Sequence, residues 1–202
     1  PIDLQDAFTL NVTDGSSIAI NYDSDQNLMV YDVYVEDNTF LAIGYGTSMV
    51  DTDMVIWQAN GDASACQDLF STTEGYPATD ATNVYDTIFS YDEDAGIVHF
   101  RSTRPLDPNP ESNSVETYVI TIGTDMPMIY AFNPVTSDLS YHGDNKGSFS
   151  LSCSSSAGCA GQTVKTKDKF KIHGWLMWFS WTLISLFQIT TNRYLVHKWQ
   201  WR

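Results

Sequence analysis

Histidine and methionine are the side chains of this sequence that are best suited to bind a cofactor. The chain has four histidines. His99 falls in a predicted strand, His142 in a loop, His173 at the start of an apolar segment and His197 after it. No H-x-H, H-x-E or H-E-x-x-H spacing occurs, which argues against a zinc site. The sequence also has no G-x-S-x-G motif and no glycine-rich phosphate loop.

A loop methionine offers a second type of ligand. Met49 lies in the glycine-flanked stretch GYGTSMVDTDMVIW, between two apolar predicted strands. A thioether and an imidazole from separate loops can hold a haem iron, and such ligation suits electron transfer. The alternatives are a methionine that only caps the core and a histidine that is only solvated. Met54 competes with Met49, but it follows Asp53 at the start of a predicted strand, so we expect it to pack inward or to take part in the strand ladder.

Charge divides the chain into two parts. Residues 1–164 contain 24 acidic and three basic residues, a net charge of −21, whereas residues 165–202 contain seven basic residues and one acidic residue, a net charge of +6. A body this acidic repels phosphate backbones, so nucleic acid is excluded as a partner. The basic segment is typical of chain that meets lipid headgroups.

The basic segment contains an 18-residue run without charge, residues 174–191, with tryptophans and a tyrosine near both ends. These features predict a transmembrane helix over residues 170–196, followed by a basic and aromatic tail over residues 197–202. Lysines precede the run and basic residues follow it, so charge does not give the orientation. Thr182, Ser185 and Gln188 form a polar stripe, which favours contact with other transmembrane helices.

Three cysteines and one sequon bear on the compartment. Cys153 and Cys159 bracket the short stretch SSSAG and can close a small disulfide loop, although Cys66 could pair with either of them. The sequence NVT makes Asn11 a glycosylation acceptor. With the low lysine content, these features predict an extracytoplasmic body.

Short apolar runs alternate with turn signals along residues 1–150. The runs include SIAINYD, NLMVYDVYVED, TFLAIGYG, SVETYVITIG and MPMIYAFNP, and a hairpin is predicted around DEDAG. This spacing is typical of an antiparallel, immunoglobulin-like β-sandwich. Residues 151–169 are poor in large apolar groups and predict a linker.

The body resembles the haem-binding DOMON domains. The resemblance is carried by TFLAIGYGTSMVDTDMVIWQANG, VHFRSTRPLD and MPMIYAFNP with LSYHG, and it covers residues 1–150. It implies that Met49 and His142 are the axial ligands of a haem b. Arg104, in FRSTRPLD, would then be a candidate partner for a haem propionate, although a structural ion pair with one of the many acidic residues is favoured.

The C-terminal segment HGWLMWFSWTLISLFQITTNRYL resembles the first core helix of a cytochrome b561 module. The family pattern opens with H-G-x-L-M and closes near A-R-Y, whereas here Asn192 replaces the alanine. The resemblance implies that His173 binds a second haem iron within the membrane. That role requires further helices, from a longer chain or from another subunit, because this sequence supplies one candidate span. If the remaining helices were lost, His173 has no opposite ligand.

Together these features predict a membrane-anchored b-type cytochrome of the plasma membrane or secretory pathway. Electrons would pass between a small reductant such as ascorbate, or a redox protein, and an acceptor such as ferric iron. The alternative is a surface glycoprotein or structural subunit without haem, in which tyrosines such as Tyr45, Tyr76, Tyr85, Tyr91 and Tyr141 stack on sugars.

Overall fold

The computed structural model describes residues 7–80, 83–108 and 117–164. These residues form a mainly β structure in which every strand pairing is antiparallel. The strands are β1 (Phe8–Asn11), β2 (Ser17–Asp23), β3 (Leu28–Glu36), β4 (Phe40–Tyr45), β5 (Thr52–Gln58), β6 (Ala65–Ser71), β7 (Ala78–Thr79), β8 (Asp86–Asp92), β9 (Ile97–Pro105), β10 (Asp125–Asn133), β11 (Lys146–Ser154) and β12 (Gly158–Val164).

The strands form two sheets that pack as a sandwich. One sheet has the order β1-β2-β3-β9-β8, and the other has the order β12-β11-β10-β4-β5-β6-β7. Alternate residues of the central strands point into the shared core, where Tyr31, Trp57, Phe100 and Phe149 are fully or almost fully buried. The antiparallel sandwich and the hairpin around DEDAG, which joins β8 to β9, are confirmed.

Burial along the strands distinguishes the two sheets. In β9, buried and partly exposed residues alternate, as expected when one face of a sheet meets water. In β5 the six residues Thr52–Trp57 are all buried. The seven-stranded sheet is therefore covered on both faces near β5, and its outer face carries a second apolar cluster.

Two sequence predictions need correction. The linker predicted over residues 151–169 is wrong for residues 151–164, which form the end of β11, a turn and β12, and residues 165–169 lie outside the described residues. Small residues form these strands because Leu151 and Cys153 alternate inward while the backbone pairs with β10. The strand predicted from SVETYVITIG is absent over residues 117–123, where the backbone N–H of Tyr118 donates to Asp53 instead of to a neighbouring strand.

Several sequence predictions concern residues outside those that the structure describes. These are the transmembrane helix over residues 170–196, the tail over residues 197–202 and His173. A helix with the length and apolarity needed to cross a membrane is not found in residues 7–80, 83–108 or 117–164.

Candidate functional site

A cavity of about 640 Å³ opens on the outer face of the seven-stranded sheet. Its floor is made by residues that point away from the sandwich core. In β4 these residues alternate with Leu41, Ile43 and Tyr45, which point inward. The floor residues come from four strands and are Phe40, Ala42, Gly44, Met54, Ile56, Leu69, Ile129 and Ala131.

Small residues keep the middle of this floor flat. Ala42 of β4 pairs with Ala131 of β10, and Gly44 pairs with Ile129. A Cβ atom on Gly44 would lie 2.8 Å from Cγ of Met54 and 2.8 Å from Cγ2 of Thr52. Real Cβ atoms do not approach so closely, so a side chain at position 44 would displace its neighbours.

Met49 reaches the cavity from the loop between β4 and β5. Its side chain packs against the outer apolar cluster of Phe40, Met54, Ile56 and Leu69. The loop is held by Thr52, whose hydroxyl donates to the carbonyl oxygen of Ser48 at 2.6 Å. Asp51 adopts a positive φ of 50°, which turns the chain back into β5.

His142 lies in the loop between β10 and β11 and lines the same cavity. Asn133 fixes this loop, because its side-chain amide donates to Oγ of Ser140 at 2.8 Å and to the carbonyl oxygen of Tyr141 at 3.3 Å. The ring of Tyr141 also stacks on that of His142, with 5.5 Å between centroids. The two predicted ligands therefore line one cavity, from loops at opposite ends of the paired strands β4 and β10, although they are far apart in sequence.

The environment of His142 suits metal ligation. Its Nδ1 lies 3.1 Å from the carbonyl oxygen of Gly143, so the tautomer with the proton on Nδ1 satisfies that carbonyl and leaves the Nε2 lone pair for a ligand. Partial burial lowers the pKa of His142, the hydrogen bond to Gly143 raises it, and the charge of Lys146 lowers it further. The net pKa is below the ordinary value, so the imidazole is neutral near pH 7.

Met54 lies in the ladder of β5, as one of the two expectations had it, and its side chain points to the cavity rather than into the sandwich core. In β5 the inward positions belong to Asp53, Val55 and Trp57, so the alternation of the strand places Met54 on the outer face. The cavity is therefore lined by two methionines.

The mouth of the cavity combines aromatic and charged side chains. Tyr76 and Tyr141 line it and are 72% and 77% exposed. Glu74 lies on one side, in the loop between β6 and β7, and Lys146 lies on the other side, at the start of β11. Sequence reasoning did not identify Lys146, Glu74 or the apolar floor as part of the site, because alternation shows which residues share a face but not which face is covered.

Arg104 lies inside the sandwich and away from this cavity. It is fully buried and forms an ion pair with Asp53, with Nη1 and Oδ2 separated by 3.2 Å. It also donates to the hydroxyl of Tyr85 at 3.2 Å and to the carbonyl oxygen of Tyr118 at 2.6 Å. A structural role for Arg104 is thus confirmed, in preference to contact with a haem propionate.

The tyrosines considered for sugar stacking do not share one place. Tyr45 and Tyr85 are buried around Arg104. Tyr91 is partly buried, and its hydroxyl donates to Asp37 at 3.3 Å. Only Tyr76 and Tyr141 of this set line the cavity.

Other candidate side chains also lie elsewhere. His99 bonds to Asp32 at 2.8 Å on the outer face of the five-stranded sheet. Cys153 and Cys159 form a disulfide bond between β11 and β12. Cys66 is a free thiol, and its burial raises its pKa to about 11.

Asn11 is exposed at the end of β1, and its glycosylation stays a prediction. In the part of the chain that the structure describes, no three His, Cys, Asp or Glu side chains are grouped so that they could hold a metal ion.

Comparison with known proteins supports this architecture. The cytochrome domain of Myriococcum thermophilum cellobiose dehydrogenase aligns with a TM-score of 0.50 and 11% identity, covering 77% of this chain and 88% of that one. The cytochrome b domain of pyranose dehydrogenase from Coprinopsis cinerea aligns with a TM-score of 0.54 and 12% identity, covering 78% of this chain and 80% of that one. At such identities the likeness shows the fold alone.

No curated protein matches the sequence. The family model described as "DOMON domain" matches residues 12–133, which is more than half of the chain. This match covers β2 to β10 and the loop that carries Met49, whereas β1, β11, β12 and His142 lie outside it. The chain therefore belongs to the DOMON domain family.

Proposed function

We propose that this DOMON domain binds haem b in the outer cavity, with Met49 and His142 as axial ligands, and that it transfers electrons. The observation that carries the proposal is that these two side chains, from separate loops, line one largely apolar cavity. The resemblance seen in the sequence named the same pair.

The residues present fit this group. Ligand cavities commonly measure about 300–1,000 Å³ and have apolar linings with few polar groups, and this cavity of about 640 Å³ falls in that range. His142 has a neutral ring with Nε2 available, and Met49 supplies a thioether. The small residues Ala42, Gly44 and Ala131 leave room above the floor for a bulky planar group between the two proposed ligands.

Haem iron held by methionine and histidine exchanges single electrons at a raised potential, which suits electron transfer. The protein would exclude water and hold the two ligands in position. The apolar floor excludes water from one side of the site. The bond from His142 to Gly143 fixes the ring orientation, and the bond from Thr52 to Ser48 holds the Met49 loop. Both similar structures are cytochrome domains, which supports the proposal.

The proposed membrane anchor is inferred from the sequence alone. We propose that residues 170–196 anchor the domain in the plasma membrane or another membrane of the secretory pathway, with the body extracellular or lumenal. His173 would then serve a second haem, together with helices from elsewhere. Electrons would pass between a small reductant such as ascorbate, or a redox protein, and an acceptor such as ferric iron.

The test is an oxidised-minus-reduced visible spectrum of the 202-residue chain after reconstitution with hemin, in detergent. We expect a low-spin b-type signal that is lost in His142→Ala and reduced or shifted in Met49→Leu. His99→Ala is the matched control, because His99 lies on the outer face of the other sheet. Because His173 is a second candidate ligand, His173→Ala is measured in parallel. We expect this variant to keep the b-type signal of the cavity.

The absence of a hemin signal in the wild type would overturn the assignment. A wild-type signal that His142→Ala leaves unchanged would place the haem elsewhere. If the wild type gives no hemin signal, the favoured function becomes binding of a sugar or protein, for which the exposed Tyr76 and Tyr141 at the cavity mouth provide stacking surfaces.

A further inference from the structure

The cavity has one basic side and one acidic side. Lys146 of β11 pairs with Ala131 of β10, so the two residues share the face of the sheet that forms the cavity floor. Glu74 lies beyond β6, across the cavity. Four strand spacings separate β11 from β6, and at about 4.8 Å each they span about 19 Å.

Lys146 is the one basic residue of residues 1–164 that lines the cavity and can contact a ligand there. Residues 1–164 contain only two others, Arg101 and Arg104. Arg101 forms an ion pair with Asp32 on the five-stranded sheet, and Arg104 is enclosed in the core. An anionic group entering a body with a net charge of −21 is repelled almost everywhere, so a single cation in the cavity has a large influence on its position.

Apolar side chains are concentrated away from Lys146. The cluster of Phe40, Ile56 and Leu69 covers the floor on the β4, β5 and β6 side. On the β11 side, Ser148 joins Lys146 on the cavity face, paired with Ile129 of β10. The cavity therefore matches a flat ligand that has one apolar edge and one acidic edge.

We propose that Lys146 pairs with a carboxylate of the bound ligand and so orients it, with the acidic edge at β11 and the apolar edge over Phe40, Ile56 and Leu69. The inference rests on the proposed function, because haem b is a planar molecule with two propionates on one edge. Lys146 is then a positioning residue for the ligand, separate from the two residues proposed to hold the iron.

The experiment measures hemin affinity by titration of the 202-residue chain in detergent, followed through the Soret absorbance. Hemin is compared with hemin dimethyl ester, in which both carboxylates are blocked. The variants are Lys146→Met, Lys146→Arg and Arg101→Gln, the last of which removes one positive charge from the other sheet. His173→Ala serves as the background, so that only the cavity is titrated.

We expect Lys146→Met to weaken hemin binding about two- to fivefold, which is the range for an exposed ion pair, and to leave the affinity for the dimethyl ester unchanged. Lys146→Arg should retain most of the affinity, and Arg101→Gln should match the background. The difference should shrink in about 1 M salt, where exposed charges are screened.

Equal affinities of Lys146→Met and the background for hemin would overturn the inference while leaving the proposed function standing. An equal loss for hemin and its ester would also overturn it, because the lysine would then act by packing. If the background binds neither compound, the proposed function fails, and the inference fails with it.

Discussion

Gly44→Ala is the sharpest single test of the cavity floor. The added methyl group would lie 2.8 Å from Cγ of Met54, 2.8 Å from Cγ2 of Thr52 and 3.2 Å from Cγ1 of Ile129. Met54 is flexible and can move toward the cavity, whereas Thr52 is β-branched and stiff. A shift of Thr52 also disturbs its hydroxyl bond to Ser48, which holds the Met49 loop.

The magnitude follows from two opposing effects. Overpacking a filled site costs about 1–3 kcal/mol. Replacing glycine by alanine in a strand also stabilises the fold by about 0.5–1 kcal/mol, because alanine loses less conformational entropy than glycine on folding. We expect the free energy of unfolding to fall by about 1–2 kcal/mol, which lowers Tm by about 2–8 °C in a domain of this size.

We also expect Gly44→Ala to lower the affinity for hemin. Without a ligand, Met54 relieves the overlap by moving into the cavity, but a bound ligand occupies that space. If about 1 kcal/mol of strain appears only in the complex, the affinity for hemin falls about fivefold. The assays are thermal unfolding followed by circular dichroism and hemin titration followed by absorbance.

Gly161→Ala is the matched control. A Cβ atom there would lie 2.6 Å from ring atoms of Phe8, on the core side of β12 and away from the cavity. We expect Gly161→Ala to lower Tm while leaving hemin affinity unchanged. If Gly44→Ala binds hemin as tightly as the wild type, the ligand does not lie against this floor, and the reasoning is refuted.

Three further predictions concern stability. Arg104→Met should lower the free energy of unfolding by about 3–5 kcal/mol in urea titrations, because it leaves the carboxylate of Asp53 buried without its cation. Replacing both Cys153 and Cys159 by serine should lower it by about 2 kcal/mol through the extra entropy of the unfolded chain. Burial raises the pKa of Asp68 to about 7, so the folded state retains a proton that the unfolded state loses, and stability should fall as pH rises from about 4 to 7.

Each of these predictions has an internal comparison. Arg101→Gln disrupts a more exposed pair, in which Asp32 keeps His99 as a partner, and it should cost less than Arg104→Met. Cys66→Ser leaves the disulfide intact and should not reproduce the loss seen in the double serine variant. Asp68→Asn should flatten the stability profile between pH 4 and 7, and an unchanged slope would show that Asp68 does not cause it.

Much of the fold could be predicted from periodicity. SIAINYD coincides with β2, and the hairpin around DEDAG joins β8 to β9. These segments carry strong local signals, namely β-branched and aromatic residues bounded by turn formers. Strands with weak local signals were not predicted. Strands β11 and β12 are built largely from Ser, Gly and Ala, and their pairing depends on a neighbouring strand rather than on their own side chains.

The failure at SVETYVITIG has the opposite cause. Its apolar residues predict a strand, yet over residues 117–123 the backbone bonds elsewhere. The N–H of Tyr118 donates to Asp53, its carbonyl accepts from Arg104, and the N–H of Ile120 donates to the carbonyl oxygen of Leu106. The buried pair of Asp53 and Arg104 needs further hydrogen-bond partners, and the backbone of Tyr118 supplies them. This requirement outweighs the strand propensity of the segment, and it cannot be recognised from the local sequence.

The sequence by itself determined the antiparallel strands, the acidic body and the candidate pair of Met49 and His142, because these follow from composition, local spacing and resemblance. Only the tertiary structure decided that both side chains line one cavity, that Met54 faces the same space and that Lys146 lies at its edge. The physical reason is strand order. Pairing of β4 with β10 places Met49 and His142, which are more than 90 residues apart, at the two ends of one cavity floor, and the choice of covered face depends on contacts that no single strand encodes.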